Sequence, residues 1–257
     1  MAGGASLAAA FILLPLAAVF FHAFRDGWGA YLGHIADPTT RHAILLSVLA
    51  ALVAVVFNTI FGLLAAWAIA KFRFQGRELL ASAIELPLSI SPIILGVAYL
   101  FVFGMQGLLG PWLEAQGIKL VFNLPAILIV TTIVTLPFVF KQILPLMQSQ
   151  GTDCEEAAST LGAGGWTIFR RVTLPGIKWA LIYGITLCLA RALGEFGSVA
   201  VVSGSIRGKT NTIPLQIELL LNDRSQTAAF AAASILTTLA LVSLIVKTHV
   251  EGLEGKR

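Results

Sequence analysis

Asp153-Cys154-Glu155-Glu156-Ala157-Ala158-Ser159-Thr160-Leu161-Gly162 is a polar, helix-forming block set between long apolar segments, and the stretch it opens closes at Leu174-Pro175. A chain this apolar has little reason to keep such a block unless something outside a membrane docks on it. Whether that reading holds depends on what surrounds it.

Of the 257 residues, 57% are hydrophobic and 12% charged; a soluble domain carries about twice that charge. Apolar runs of about 20 residues recur, the length of a membrane-spanning helix. The composition therefore predicts an all-α polytopic membrane protein. The formal net charge of +4 comes from scattered Lys and Arg, without a basic patch interleaved with aromatics, so nucleic acid is not an expected partner. Cys154 lies in a polar loop and Cys188 in an apolar segment, and neither has metal-type spacing. His22, His34, His42 and His249 are isolated, so no metal site is expected.

Six apolar segments can be laid out: 6–24, 42–70, 79–103 (interrupted by Pro87 and Pro92), 124–147 (with Pro137 and Pro145), 179–202 and 227–248. The first lacks a basic region before it and a small-residue cleavage site after it, so it reads as an uncleaved membrane helix. No soluble domain is expected on either side, leaving a single transmembrane domain over 1–257 with its core at about 42–248. Six crossings put both termini on one side. Lys71, Arg73, Arg77, Lys141, Arg170, Arg171, Lys178, Lys247, Lys256 and Arg257 share that side; Arg25, Arg41, Lys119, Arg207, Lys209 and Arg224 fall on the other. The excess places both termini in the cytoplasm.

The loop 148–178 is then cytoplasmic, and its composition suits two short helices. Thr152 is placed to cap the first, with Glu155 as its capping-box partner. Acidic residues in the first turn complement the helix dipole, and Gly162 is suited to end the helix in a left-handed conformation. A second amphipathic turn runs over 166–172, with Trp166 and Phe169 on one face, and Pro175 is expected to stop it. From these residues alone, the hairpin is either a rigid docking knob or a surface hairpin with no partner.

Glu156-Ala157-Ala158, then Gly162, then Val172-Thr173-Leu174-Pro175 resembles, in residues and spacing, the EAA signature of ABC importer membrane subunits. The resemblance implies a type I importer permease (MetI-like) fold of about six transmembrane helices in a bacterial inner membrane, with 148–178 as its coupling loop. It implies that the knob docks in a groove of a separate ATPase dimer, which binds ATP and Mg. Asp153, Glu155, Glu156, Ala157, Ala158 and Gly162 would then be coupling residues. In that role Ala157 and Ala158 give close helix contact, Glu156 pairs with the loop or the ATPase, and Gly162 makes the turn.

Arg191-Ala192-Leu193-Gly194-Glu195-Phe196-Gly197-Ser198-Val199 resembles the sulfate/thiosulfate permeases. So do Val202-Ser203-Gly204-Ser205-Ile206-Arg207-Gly208, Thr212-Ile213-Pro214-Leu215-Gln216-Ile217-Glu218-Leu219-Leu220 and Phe169-Arg170-Arg171-Val172-Thr173-Leu174-Pro175. Molybdate permeases share the first of these. The second and third are similar to the CysW-type permease of sulfate systems. This implies a second, CysT/CysU-type permease as heterodimer partner, a periplasmic sulfate-binding protein, and sulfate or thiosulfate as cargo, with molybdate or tungstate as the alternative. The likeness runs from Asp37 onward; the first ten residues lack the charged segment that relatives often carry there.

Several residues inside the apolar segments invite roles. Arg191 and Glu195, four apart, fall on one face of a helix, and an unpaired charge in a bilayer is costly. They are either a structural ion pair or a pair in which Arg191 faces the translocation path. Glu85 has no base one turn away and calls for a partner from another helix or for protonation. Pro87 and Pro92 free backbone carbonyls, tolerated where protein or a water-filled cavity satisfies them. Between them, Ser89 and Ser91 either donate to a passing oxyanion or bond back to the preceding turn. Ser203, Arg207 and Lys209, with Arg224 nearby, form either a basic outer mouth or a solvated loop.

Residues 204–210 (GSIRGKT) look like a nucleotide-binding loop but have three residues between the glycines where four are needed. This chain is therefore expected to bind no cofactor and to borrow ATP energy from a partner. Two other classes compete. A secondary transporter would need related halves or a membrane ion site, and an intramembrane enzyme would need a paired nucleophile and base or clustered metal ligands. Neither pattern is evident.

Overall fold

The computed structural model describes residues 2–254. Every regular element among them is helical, as expected where backbone groups must be satisfied without water. Helices α1 (Ala2–Ala23) and α2 (Gly27–Ala36) lead into α3 (Pro38–Lys71), which starts sharply. The Asp37 side chain accepts from the Thr39 and Thr40 amides, and Pro38 occupies the first turn, where its missing N–H costs nothing. Then come α4 (Arg77–Ser89), α5 (Pro92–Phe103), the short α6 (Gly110–Ala115) and α7 (Leu124–Gln150), the last capped by Asn123 through the Ala126 amide at 3.2 Å. Helices α8 (Asp153–Thr160) and α9 (Gly165–Ile168) form the predicted hairpin. A π-helical turn, Phe169–Thr173, joins α9 to α10 (Leu174–Leu193), and α11 (Gly197–Ser203), α12 (Ile213–Asn222) and α13 (Gln226–Glu254) complete the chain.

Among the described residues, four helices are long and apolar enough to cross a membrane: Pro38–Lys71, Leu124–Gln150, Gly165–Leu193 and Gln226–Val246. The α4/α5 pair makes a fifth crossing if counted as one bent span; it turns by 113° at the break. The described apolar part of the first segment, Leu13–Ala23, is shorter. Lys256 and Arg257, used to assign topology, lie outside the described residues.

Two expectations need correction. The fifth segment is not one helix over 179–202. It ends at Leu193, breaks over Gly194, Glu195 and Phe196, and restarts as α11. Pro175 does not stop the preceding turn; it sits in the first turn of α10, where proline is tolerated, so the chain runs helical from Gly165 to Leu193.

The core forms where α3, α7 and α10 pack together. Ala66, Phe140, Ile143, Met147 and Ile177 are buried toward the hairpin end, and Ala50, Ile127, Val130, Val199 and Leu215 toward the other. Small residues permit close approach, as in membrane helix pairs. A Cβ on Gly62 would lie 3.1 Å from the Phe140 backbone nitrogen, and one on Gly184 3.0 Å from Val139 Cα. Asn58, fully buried, ties the three helices. Its Nδ2 donates to the Thr132 carbonyl at 3.1 Å and to Thr135 Oγ1 at 2.9 Å, and lies 3.6 Å from Cys188 Sγ. The outer surface of α3 is apolar too: Leu45, Leu52, Val56, Ile60 and Leu64 are exposed, the pattern of a helix facing lipid or another apolar chain.

Candidate functional site

The hairpin is built as its sequence demands. Gly162 ends α8 at φ +83°. Its amide donates to the Ser159 carbonyl at 2.9 Å, and the Ala163 amide reaches back to Ala158 O at 3.1 Å. Those two bonds satisfy the last carbonyls of the helix in a left-handed turn. Trp166 and Phe169 stack with ring centroids 5.7 Å apart.

The acids divide differently from the expected capping box. The Thr152 side chain makes no bond to the first-turn amides; its hydroxyl donates to Glu156 Oε1 at 2.6 Å. Glu155 turns inward instead. Its Oε2 lies 2.6 Å from Lys71 Nζ, and its Oε1 accepts from Thr173 Oγ1 at 2.8 Å. The helix explains the split, because neighbouring residues point about 100° apart. Asp153, Glu156 and Ala157 are exposed and Ala158 is partly buried. Leu161 and Trp166 are the large apolar side chains left open on this knob, at 88% and 73% exposure. A cavity of about 270 Å³ lies behind it, lined by Trp67, Lys71, Glu155, Ser159, Phe169 and others.

The two helix breaks meet in space. A Cβ on Gly197 would stand 3.1 Å from Ile93 Cγ1 and 3.3 Å from Pro92 Cβ, and one on Gly96 would lie 2.9 Å from both the Ser198 carbonyl oxygen and Val201 Cβ. Only glycine permits α5 and α11 to pack this closely. Glu195 is buried in the second break. Its Oε1 accepts from the Ser198 amide at 3.0 Å and hydroxyl at 2.6 Å, so it caps α11. Its Oε2 faces Arg191 Nη1 at 2.5 Å. That contact is an ion pair out of line for a hydrogen bond, and Oε2 has no hydrogen-bond partner. Arg191 and Glu195 therefore pair as expected, but across a helix end rather than along one face. Pro87 lies inside α4, and the bend falls at Ile90-Ser91; Ser89 and Ser91 are both exposed. Glu85 finds its partner on another helix, Lys141 of α7, at 3.5 Å, with both side chains partly exposed.

At the end away from the hairpin, Ser203 is buried and its Oγ accepts from the Ser205 amide at 3.1 Å, shaping a turn rather than opening to solvent. Arg207 is exposed and pairs with Asp223. The Lys209 carbonyl bonds to His42 Nε2 at 3.0 Å, and the Ile213 amide donates to Ser47 Oγ at 2.7 Å. The loop between α11 and α12 is thus fastened to the start of α3. There the Thr39 hydroxyl, helped by the Thr40 and Thr39 amides and the charge of Arg207, holds the Asp37 carboxyl below its ordinary value against the opposing effect of desolvation.

Sequence reasoning missed Lys71 and Thr173 as partners of Glu155; Lys71 had counted only as a topology-setting charge. It also missed Asn58, for which a lone amide in an apolar run was an available signal, and the close-contact glycines Gly96 and Gly197, for which there was none.

Known proteins resemble the chain throughout. The family model for the binding-protein-dependent transport system inner membrane component matches residues 58–252. The sulfate transport system permease protein CysW of Escherichia coli strain K12 is 48% identical over 246 residues, covering 95% of this chain and 84% of that protein. CysW of Synechococcus elongatus is 45% identical, covering 96% and 86%. The sulfate transport system permease protein CysT of Escherichia coli strain K12 is 34% identical, covering 96% and 89%. Among solved structures, a chain of a bacterial alginate ABC transporter, in complex with an alginate pentasaccharide-bound periplasmic protein, superposes with a TM-score of 0.74. It is 20% identical and covers 93% of this chain and 87% of that one, a likeness of fold.

Proposed function

The chain belongs to the family of binding-protein-dependent transport system inner membrane components, and from that premise we propose that it is the sulfate-translocating permease of an ATP-driven importer. The observation that carries the reading is 48% identity to a sulfate permease across 95% of this chain. Identity of that extent spans both the hairpin and the helix breaks.

In this reading the chain lies in the bacterial inner membrane with its termini and the 148–178 hairpin in the cytoplasm. ATP, with Mg, is hydrolysed by a separate ATPase dimer that docks on the outward face of α8. Glu156, Ala157, Leu161 and Trp166 offer that face, and Gly162 sets its angle. A second, CysT-type permease completes the membrane unit, consistent with the 34% identity that this chain itself shares with CysT. A periplasmic binding protein delivers sulfate or thiosulfate to the outer end, where Arg207 and Lys209 supply attraction for a dianion.

The path runs past the paired breaks. Irregular backbone at membrane depth is tolerated where it lines a cavity, and Pro87, Ser89, Ser91, Arg191 and Glu195 gather around these breaks. Ser89 and Ser91 offer hydroxyl donors without charge, suited to passing a tetrahedral oxyanion. Arg191 supplies the cation, and Glu195 fixes its position. Closure of the ATPase dimer would move the hairpin and tilt the helices that flank the breaks, opening the path outward; hydrolysis would reset it.

The test is reconstitution with the ATPase, the second permease and the binding protein in proteoliposomes, followed by ATP-dependent uptake of labelled sulfate. Uptake competed by thiosulfate and not by molybdate is expected. Competition by molybdate at equal concentration would move the assignment to that oxyanion, and uptake without ATP would overturn the importer reading.

A further inference from the structure

The hairpin meets the membrane helices through a partly buried charge cluster. Besides its bond to Glu155 Oε2, Lys71 Nζ donates to the Gly151 carbonyl at 2.5 Å. Lys71 is the last residue of α3, Gly151 follows the end of α7, and Thr173 precedes α10. One carboxylate and one ammonium thus join α8 to the ends of the same three helices that form the core. The side chains of Lys71 and Glu155 are only 9% and 17% exposed. This is a largely desolvated pair, unlike the exposed pairs that contribute little.

Aromatic contacts run parallel to the cluster. Phe72 packs edge-on against Trp67 at 5.2 Å, Trp67 against Phe169 at 5.9 Å, and Phe169 stacks on Trp166. The cavity of about 270 Å³ beside the cluster gives α8 room to shift. If α8 moves, the cluster must either break, stranding a desolvated charge, or carry the ends of α3, α7 and α10 with it. Breaking it would leave both charges without their partners in a largely desolvated place.

We propose that Glu155 is the positioning residue that converts displacement of α8 into joint movement of α3 and α10, while its neighbour Glu156 belongs to the docking face. Glu156 is exposed at the edge of the same cavity, and its Thr152 bond lies within the hairpin; Glu155 points inward and reaches residues 84 and 18 positions distant. The inference rests on the importer reading. It adds that docking and transmission are divided between adjacent carboxylates.

The test compares Glu155→Gln, Lys71→Met and Glu156→Gln in the full reconstituted complex. Three quantities are read: ATPase co-purification, basal ATP hydrolysis, and hydrolysis stimulated by sulfate-loaded binding protein together with sulfate moved per ATP. For Glu155→Gln and Lys71→Met we expect retained co-purification and basal hydrolysis. Stimulation should fall about tenfold, the scale of one coupling free energy between sites, with less sulfate moved per ATP. Glu156→Gln should instead weaken co-purification and leave the sulfate-to-ATP ratio unchanged. If Glu155→Gln does not assemble, Lys71→Met decides, since it removes the same contact from the α3 side. Wild-type stimulation in Lys71→Met, or co-purification lost in Glu155→Gln but not in Glu156→Gln, would overturn the proposal. A wild-type complex that neither holds an ATPase nor takes up sulfate would overturn the importer reading itself.

Discussion

Arg191 and Glu195 meet across the end of a helix: Nη1 stands 2.5 Å from Oε2, although α10 has closed at Leu193 between them. The carboxylate is 1% exposed and the guanidinium 31%, so the two partners are not equally costly to strand. Arg191→Met leaves a buried carboxylate uncompensated and is expected to cost about 3–5 kcal/mol. Glu195→Ala leaves a guanidinium that this chain only partly encloses and removes the cap on Ser198, costing about 2–3 kcal/mol. Glu195→Gln keeps an acceptor for Ser198 and should be milder than either. Thermal inactivation in detergent, ranked in that order, checks this; equal effects would show that the pair does not hold the break.

Gly96 tests the contact between the two breaks. An added Cβ would fall 2.9 Å from the Ser198 carbonyl oxygen and from Val201 Cβ, and neither backbone nor branch point yields readily. Gly96→Ala is expected to lose about 1–3 kcal/mol, the usual cost of overpacking. Sulfate uptake should fall more than ATPase co-purification, because the damage is remote from the hairpin.

Gly162 tests the opposite case. Nothing lies within 4 Å of a Cβ there, yet φ is +83°. Gly162→Ala should therefore cost about 1–2 kcal/mol through backbone conformation alone. Because the turn sets the angle between α8 and α9, the loss should appear as weaker retention of the ATPase on an affinity column, with the membrane part still intact in thermal melts.

Asp37 makes a pH prediction. Its carboxyl is held below its ordinary value of 3.8, first by the Thr39 hydroxyl. A depressed folded-state value means the contribution is fully present above about pH 4 and is lost as pH falls through the folded value. Asp37→Asn keeps a capping oxygen and loses only the charge, so it should lower the melting temperature at neutral pH by less than the loss of a whole helix cap, about 1 kcal/mol. The difference between mutant and wild type should hold down to about pH 4 and shrink as the pH is taken further below 3.8; a difference that stays constant well below 3.8 would contradict the assignment.

Arg207 and Asp223 form an exposed pair, so removing either should change stability by no more than about 1 kcal/mol. Uptake should respond more. Arg207→Glu is expected to slow sulfate uptake at low ionic strength, with the difference shrinking as salt screens the charges around this loop. Salt-independent slowing would point to a local structural defect instead.

How far the sequence could be read depended on the range of the physics. Periods of about 3.6 residues and runs of about 20 apolar residues are local, and they located α3, α7 and α13 to within a few residues. Gly162 was legible because a left-handed turn after a polar helix has a strong residue preference. The Thr152 and Glu155 capping box was misread: its spacing fits, but Lys71, distant in sequence, competes for the carboxylate. The fifth segment was misread because hydropathy does not register a break when the residues on both sides are apolar. Glu85 was legible only as a residue needing a partner; that the partner is Lys141 follows from the packing of α4 on α7.

Composition, hydropathy and motif spacing are properties of the chain before it folds, and they were enough to read a helical membrane protein with a polar hairpin and the resemblance that identifies its family. The packing of the helices settled that the α4/α5 and α10/α11 breaks share one place, that Glu195 caps α11 while facing Arg191, and that Glu155 bonds Lys71 and Thr173 while Glu156 bonds only within the hairpin. Those outcomes depend on which helices pack side by side, and packing brings together groups whose separation along the chain carries no trace of the contact.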